Sequence, residues 1–412
     1  MIPVRFVPKT PLIVALLCGG LLCVLVACHE DRLESPLDSK NLSGRFYLEK
    51  STFAQGEPIF LYFQVVNDGP TDEGFYPRGG PYHCLSDYRI RVSSDPHVVP
   101  SCEPGVAGSC LEDDSAIHLR PAEKYTEHLL LNFEHEIGAP GEYSVEAERY
   151  PRHSGRRVHA TIYFRVGPNT IQPEAFRPWM DQLRSPDPTT RIEAARTLAS
   201  LAPRSAEETL LSFADNPELG EFAPLAMHRL NTPRSMAAMA DLLKRTEPRT
   251  FEQMESAEYL AESGDQQWFP LLLEVAQKNA GNASYVDDAA KLGGDKMLPA
   301  LIALAGGSRK KLAARSTDEE FAQNAVAAMG YTGSRAAVPI LLKFLESPDT
   351  VVADSARQGL RLLTHRTAGD PRDDRNESPQ SQHRKWSQWW AREGATAPIY
   401  KATECSDILP LP

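Results

Sequence analysis

The chain has 412 residues, of which 42% are hydrophobic, and this length and composition allow several domains with separate cores. Its 55 acidic residues outnumber its 44 basic residues, which gives a net charge of −11. Such an excess of negative charge argues against binding to nucleic acid and against electrostatic binding to anionic lipids.

Residues 1–27 have the pattern of an export signal peptide. Arg5 and Lys9 supply a positive end, Leu12–Leu25 forms an apolar core, and small residues precede Cys28. The run Leu-Val-Ala-Cys at this point resembles the lipobox of bacterial lipoproteins, which implies that Cys28 becomes the lipidated first residue of the mature chain. An uncleaved membrane anchor and an ordinary cleaved signal are the alternatives.

The lipobox resemblance also implies a location. The mature chain is expected outside the cytoplasm, anchored by lipid in a bacterial cell envelope, with residues 28–39 as a tether. His29 takes the second mature position, where an Asp often marks retention at the inner membrane in the resembling family. A cell with two membranes would therefore carry this protein on the outer one, although the sequence does not say which side of that membrane it faces.

Residues 40–168 have the hydrophobic period of β-strands. Segments of alternating apolar residues are separated by turns rich in Gly and Pro. The alternating positions are Ile59, Leu61, Phe63 and Val65; Leu129, Leu131 and Phe133; Tyr143, Val145 and Ala147; and Ala160, Ile162, Phe164 and Val166. With residues 45–50 and 88–93 added, the pattern predicts six or seven strands in a two-sheet sandwich of immunoglobulin-like size.

Two further stretches carry a resemblance in the same region. Leu119–Glu123 and Pro140–Tyr143 resemble the later strands of bacterial immunoglobulin-like modules, which implies an immunoglobulin-like β-sandwich. The region is also similar to the sandwich of intracellular proteinase inhibitors, but no inhibitory motif carries over.

Four cysteines of the mature chain are candidates for disulfides, since exported proteins meet an oxidising environment. They are Cys84, Cys102, Cys110 and Cys405. Three complete pairings exist, and the Pro and Gly residues between Cys102 and Cys110 favour joining those two, which leaves Cys84 for Cys405. A zinc site at Cys84, Cys102 and Cys110 with His83 is the alternative, but the paired Cys-x-x-Cys spacing of common zinc sites is absent.

Residues 172–369 repeat a plan of paired helices. At three joints a Gly precedes an Asp or Ser and then a Pro, near Gly264, Gly294 and Gly333. Gly can end one helix in the left-handed conformation, the polar residue can cap the next helix, and Pro fits the first turn. We count about six units, which start near Glu174, Ala206, Arg234, Trp268, Leu298 and Ala337.

The second helix of each pair carries an apolar stripe rich in alanine. Examples are Ile192, Ala195, Leu198 and Ala199; Phe321, Ala325, Ala328 and Met329; and Val352, Ala356, Leu360 and Leu363. A single pair has too little apolar surface to be stable, so the pairs are expected to stack as an α-solenoid. The stretch Asp187–Leu198 resembles the second helix of bacterial HEAT repeats of the phycobilisome-lyase type, and Gly333–Leu345 is similar to the start of another.

Residues 370–412 form a polar segment followed by a short helix rich in tryptophan. Trp386, Trp389 and Trp390 share one helix face at spacings of three and four residues. One interpretation is a cap over the open apolar end of the last repeat. The other is an exposed aromatic surface that contacts a partner.

The functional expectation follows from what these patterns contain and lack. The sequence has no phosphate-binding Gly-rich loop, no nucleophile elbow and no paired His on a helix, so we expect no enzyme, no cofactor and no metal. We predict an envelope lipoprotein that binds a protein or peptide partner through its HEAT-like array. The alternative is a protease inhibitor or blocking module that uses the cysteine-bearing loop, residues 95–115.

Overall fold

A computed structural model describes residues 39–75, 88–94, 116–135, 137–149, 157–311, 318–365 and 378–401. The lipidation and disulfide predictions lie outside these ranges and stay predictions; they concern Cys28, Cys84, Cys102, Cys110 and Cys405. Within the described ranges, no helix is both long and apolar enough to cross a membrane.

Strands fill the first part of the chain and form two main sheets. They are β1 (Leu42–Leu48), β2 (Thr52–Gln55), β3 (Phe60–Asn67), β4 (Glu73–Phe75), β5 (Tyr88–Ser93), β6 (Ile117–Leu119), β7 (Lys124–Leu130), β8 (Gly141–Arg149) and β9 (Val158–Thr170). One sheet has the order β1-β3-β7 and the other β2-β9-β8-β5, while β4 and β6 form a two-stranded ribbon. β2 pairs with β9 in parallel, whereas the other pairs described are antiparallel.

The two main sheets share one apolar core. Leu61, Phe63 and Val65 of β3 are buried in the same cluster as Val145 of β8 and Phe164 of β9. Successive side chains of a strand point to opposite faces, so the alternation read from the sequence places one row of each strand inward. The described chain therefore begins with a β-rich region that has its own core.

One of the predicted strands is partly wrong. The alternation through Leu129, Leu131 and Phe133 predicts a continuous strand, but β7 ends at Leu130 and a short helix, α1 (Leu131–Glu134), follows. The Asn132 side chain accepts a hydrogen bond from the Ile59 backbone N–H at 2.7 Å, and the Leu131 N–H donates to the Ile59 carbonyl at 2.9 Å. These bonds to the start of β3 fix the helical turn, and the half-buried Phe133 packs against the helical region instead of the sheet core.

Helices fill the second part of the chain. They are α2 (Arg177–Gln182), α3 (Pro188–Leu201), α4 (Glu207–Ser212), α5 (Ala223–Leu230), α6 (Pro233–Arg245), α7 (Phe251–Glu262), α8 (Phe269–Lys278), α9 (Ala283–Gly293), α10 (Leu298–Lys311), α11 (Asp318–Ala328), α12 (Ala337–Phe344), α13 (Thr350–Thr364) and α14 (Pro379–Glu393). The first helices of six pairs, α2, α4, α6, α8, α10 and α12, begin within three residues of the predicted unit starts.

The glycine joints have the predicted conformation. Gly264, Gly294 and Gly333 have φ values of 68°, 53° and 63°, which non-glycine residues rarely adopt. After the first joint, the Asp265 side chain accepts a hydrogen bond from the Gln267 N–H at 3.0 Å, and Pro270 lies in the first turn of α8. Each joint thus ends one pair and starts the next without leaving the chain strained.

The second helices form a continuous layer. α3, α5, α7, α9, α11 and α13 each pack against the next, and we call this set the second-helix layer. Small residues permit the close packing, most clearly after α11, where a Cβ on Gly330 would lie 2.6 Å from the Gly359 Cα in α13. The apolar stripes predicted for α3, α11 and α13 face this packing and are buried, apart from the half-buried Phe321.

We expect Gly330→Ala to destabilise the array by about 1–3 kcal/mol, because the added methyl group meets the backbone of α13 and forces the two helices apart. Gly306→Ala in α10 is the matched control, since a Cβ there meets nothing within 4 Å and the alanine favours the helix. Thermal unfolding followed by circular dichroism measures both. Equal midpoints for the two variants would contradict the close-contact explanation.

The β-rich region contacts the start of the helical array. The Arg196 guanidinium of α3 lies 5.3 Å from the Phe133 ring centre, and the Glu193 carboxylate pairs with His128 of β7. Burial, with the nearby Arg229 charge adding to it, lowers the pKa of His135 to about 4, so this junction histidine is neutral near pH 7. The short segment between β9 and α2 therefore joins two bodies that touch.

Candidate binding surfaces of the helical array

A cluster of acidic residues lies in the middle of the second-helix layer. Glu255, Glu258 and Glu262 follow one another on α7 at spacings of three and four residues, which places them on one helix face. Asp287 and Asp288 lie on the neighbouring α9, where Lys291 stands one turn further on. Carboxylates thus outnumber cations at this point of the layer.

Asp288 is the most perturbed of these groups. Its side chain is almost fully buried, and its carboxylate lies 3.6 Å from the Lys291 ammonium. Burial raises the pKa of Asp288 to about 7, and the carboxylates of Glu258 and Glu255 add to the rise while Lys291 opposes it. Burial works against the Lys291 charge as well, but the surrounding carboxylates, Asp288 first, raise its pKa.

The pKa of Asp288 predicts a pH dependence of stability. The pKa of Asp288 is about 7 in the folded chain and about 3.9 in the unfolded chain, so the folded chain binds the proton more tightly. The stability that this difference provides is fully present below pH 4 and is lost as the pH rises through 7. We expect the wild-type chain to lose on the order of 2 kcal/mol between pH 5 and pH 8 through this group. Asp288→Asn, which stays neutral, should flatten that part of the profile.

Chemical denaturation at several pH values measures this effect. The matched control is Asp295→Asn, which removes an exposed carboxylate beyond the same helix. A wild-type profile between pH 5 and pH 8 that Asp288→Asn leaves unchanged would contradict the assignment.

An aromatic pair borders the acidic face. The His228 ring of α5 stacks on the Tyr259 ring of α7 with centres 4.3 Å apart, and His228 lies 3.9 Å from the Glu262 carboxylate. Burial raises the pKa of Tyr259, and the carboxylates of Glu255, Glu258 and Glu262 raise it further. The phenol therefore stays protonated and holds two neighbouring second helices together.

The tryptophans of α14 lie against the last repeat. Trp386 is 2% exposed and Trp389 is 8% exposed, and both belong to the core of the array, while Trp390 packs on it half-buried. The rings of Trp386 and Trp389 meet edge to face with centres 5.6 Å apart. These positions favour the cap interpretation, because an aromatic surface for a partner would leave the first two rings open to solvent.

Arg335 fastens the end of the chain to this cap. Its guanidinium donates to the Ala397 carbonyl at 2.5 Å and to the Gly394 carbonyl, and it lies 5.8 Å from the Trp390 ring centre. Beyond the cap, the Tyr400 N–H donates to the Leu363 carbonyl at 2.8 Å. The last helix pair is thus covered by α14 and by the segment that follows it to Tyr400.

The sequence patterns did not single out the charged groups of α7 and α9. A signal existed, because the three glutamates of α7 and the Asp288–Lys291 pair stand at helical spacings. Spacing does not tell which face of a helix meets its neighbour, so these residues were indistinguishable from an ordinary solvated face. Among the described residues, no group of three or more His, Cys, Asp or Glu side chains is arranged to hold a metal ion.

Comparison with known proteins finds HEAT-like repeats in the array. The family model described as HEAT repeats matches residues 176–254, and the one described as PBS lyase HEAT-like repeat matches residues 322–347. Curated proteins give no match. Among solved structures, human deoxyhypusine hydroxylase in complex with glycerol is similar at 18% identity with a TM-score of 0.25, over 47% of this chain and 75% of that chain.

The two family models agree with the helical pairs described above. The second part of the chain is a HEAT-like helical array, a fold that generally mediates contacts between proteins.

Proposed function

We propose that this protein is a lipid-anchored lipoprotein of a bacterial cell envelope, without enzymatic activity, that binds a protein partner through its HEAT-like array. The observation that carries the binding role is the second-helix layer, in which the second helices of six pairs pack one after another as in a solenoid. The lipobox sequence that ends at Cys28 supports the anchor.

We also propose that the β-rich region is an immunoglobulin-like sandwich. Two features support this. The order β1-β3-β7 against β2-β9-β8-β5, with β2 parallel to β9, is the arrangement of such domains in which the first strand divides between the two sheets. The Tyr143 hydroxyl donates to the Ala139 carbonyl at 2.8 Å, as the tyrosine corner of these domains does.

The anchor is tested by the mass and membrane partition of the mature protein from its native host. We expect a mass increase that corresponds to a diacyl or triacyl modification, recovery in the membrane fraction, and loss of both in Cys28→Ser. An unmodified chain in the soluble fraction would overturn the anchor and leave the binding role untouched.

The binding role is tested by cross-linking in intact cells followed by recovery of the tagged protein. Glu262→Lys reverses a charge on the second-helix layer, and Asp181→Lys reverses an exposed charge on the first helix α2. We expect the first variant to reduce recovery of a partner at least about fivefold and the second to leave it unchanged, since interface charges set complementarity. A recovered set of proteins that neither variant alters would contradict binding through this layer.

The alternative of a protease inhibitor rests on residues 95–115, which lie outside the described residues. The inhibitor alternative therefore stays a prediction from the sequence. Slowing of secreted proteases by the full chain, with loss of the effect when residues 95–115 are replaced by a Gly-Ser linker, would favour it over the scaffold.

A further inference from the structure

A cleft opens between the first helices of the third and fourth pairs, α6 and α8. Its volume is about 450 Å³, and its walls include Leu243, Glu247, Gln253, Leu271 and Val275. This volume lies in the range of about 300–1,000 Å³ that ligand pockets occupy. Neither the sequence patterns nor the proposed binding through the second-helix layer uses this site.

The floor of the cleft is apolar. Leu243 is fully buried, Val275 is 8% exposed, and the half-buried Leu271 packs against the core of the array. Such a floor suits an aliphatic chain, because each methylene group buried there gains about 0.8 kcal/mol.

One wall of the cleft is held in a fixed shape. The connection from α6 to α7 contains Arg249, whose φ of 71° costs a non-glycine residue about 1–3 kcal/mol. The Arg249 N–H donates to the Tyr285 hydroxyl at 3.1 Å, and that hydroxyl donates to the buried Gln253 side chain at 2.7 Å. The Gln253 amide in turn donates to the Leu243 and Thr246 carbonyls. This network keeps the wall in place before any ligand arrives.

Charged side chains of both signs lie at the rim of the cleft. The Lys244 ammonium lies 3.2 Å from the Asp241 carboxylate, and the Lys278 ammonium lies 2.6 Å from the Glu274 carboxylate. In the described part of the chain, the exposed Glu247 carboxylate takes part in no such ion pair. Both α6 and α8 also end at the cleft, where the carbonyl end of a helix carries about half a negative charge.

We propose that this cleft binds a lysine or arginine side chain from an extended segment of a protein partner, with its methylene chain over Leu271 and Val275 and its charged end at Glu247. Long basic side chains combine an apolar stem with a cationic tip, which is the combination that floor and rim present. A purely apolar side chain would make no ionic contact with the Glu247 carboxylate, and an acidic one would be repelled by it and by the helix ends.

A random heptapeptide library displayed on phage, selected on the full chain, tests this proposal. We expect enriched peptides to share a lysine or arginine. A labelled synthetic peptide of the consensus sequence then provides a double-mutant cycle, in which Glu247→Gln is combined with replacement of the peptide's basic residue by norleucine. Each change alone should weaken binding at least about fivefold, as measured by fluorescence anisotropy. The two changes together should weaken binding little more than either change alone.

Two control variants locate the effect. Asp295→Asn removes one exposed carboxylate elsewhere in the array and should leave the affinity unchanged. Leu271→Asn should weaken binding through the floor, and its circular dichroism melt checks that the array stays folded. Failure to enrich any peptide, a consensus without a basic residue, or additive effects in the cycle would overturn the proposal. None of these outcomes depends on the lipid anchor or on the second-helix layer. A negative result would therefore overturn the cleft proposal without contradicting the proposed function.

Discussion

Replacement of Arg149 by methionine is expected to destabilise the β-rich region by about 3–5 kcal/mol, because it removes the cationic partner of the buried Glu127 carboxylate. The Arg149 side chain is 4% exposed and that of Glu127 is 9% exposed, and the two groups pair inside the β-rich region. The Arg149 guanidinium also lies 4.5 Å from the Phe75 ring centre and 4.9 Å from the Tyr88 ring centre. The charge therefore has both an ionic and an aromatic environment that methionine cannot replace.

Two further variants separate the ion pair from simple packing. Arg165→Met disrupts the ion pair between Arg165 and Glu142, in which both side chains are more than 60% exposed. This change should alter the free energy of unfolding by less than about 1 kcal/mol. The double variant Arg149→Met, Glu127→Leu removes both buried charges and should recover much of the loss. Urea unfolding followed by tyrosine fluorescence measures all three. An Arg149→Met variant as stable as wild type would mean that the buried pair contributes nothing to stability.

Trp386→Ala is expected to destabilise the end of the array by about 3–5 kcal/mol, since it removes a large side chain that is 2% exposed and leaves a cavity in the core. In a stacked array each unit is stabilised mainly by its neighbours, so the loss should spread from α14 to α12 and α13 before it reaches earlier pairs. Hydrogen exchange measured by mass spectrometry should show reduced protection in those helices.

Trp390→Ala is the matched control for the cap. Its ring is half-buried and mainly faces the Arg335 guanidinium, so its loss should cost less than half as much as that of Trp386. If Trp386→Ala left hydrogen exchange in α12 and α13 unchanged, the tryptophans would not act as a cap. The interpretation of an aromatic surface that contacts a partner would then be favoured.

The repeats were predictable because their signals are local. A glycine in the left-handed conformation, a capping residue and a proline fall within a few residues of each other, and near Gly264, Gly294 and Gly333 they mark the joints. The strand pattern failed at Leu131 because that side chain is buried whether the chain is extended or helical. The deciding contact is the bond from Ile59 to Asn132, 73 residues apart in the chain, and periodicity does not report such contacts.

The candidate sites were less predictable for the same reason. The shape of the cleft between α6 and α8 depends on the hydrogen bond between Gln253 of α7 and Tyr285 of α9. The two residues belong to neighbouring helix pairs, and in the sequence they look like ordinary helix residues. The junction depends on His128 and Glu193, which come from different parts of the chain. Chemistry that arises from pairs of distant residues is visible only once the fold brings them together.

The parallel pairing of β2 with β9 has a consequence for how the chain acquires its structure. β2 ends at Gln55, whereas its partner β9 ends at Thr170 and leads directly into the helices. During synthesis the second sheet cannot close until the last of its strands has emerged, because a non-local pairing must wait for both segments. The helix pairs, by contrast, form contacts as soon as each follows its neighbour. We therefore expect the β-rich region to fold more slowly than the helix pairs, with its open strand edges exposed to aggregation until β9 has emerged.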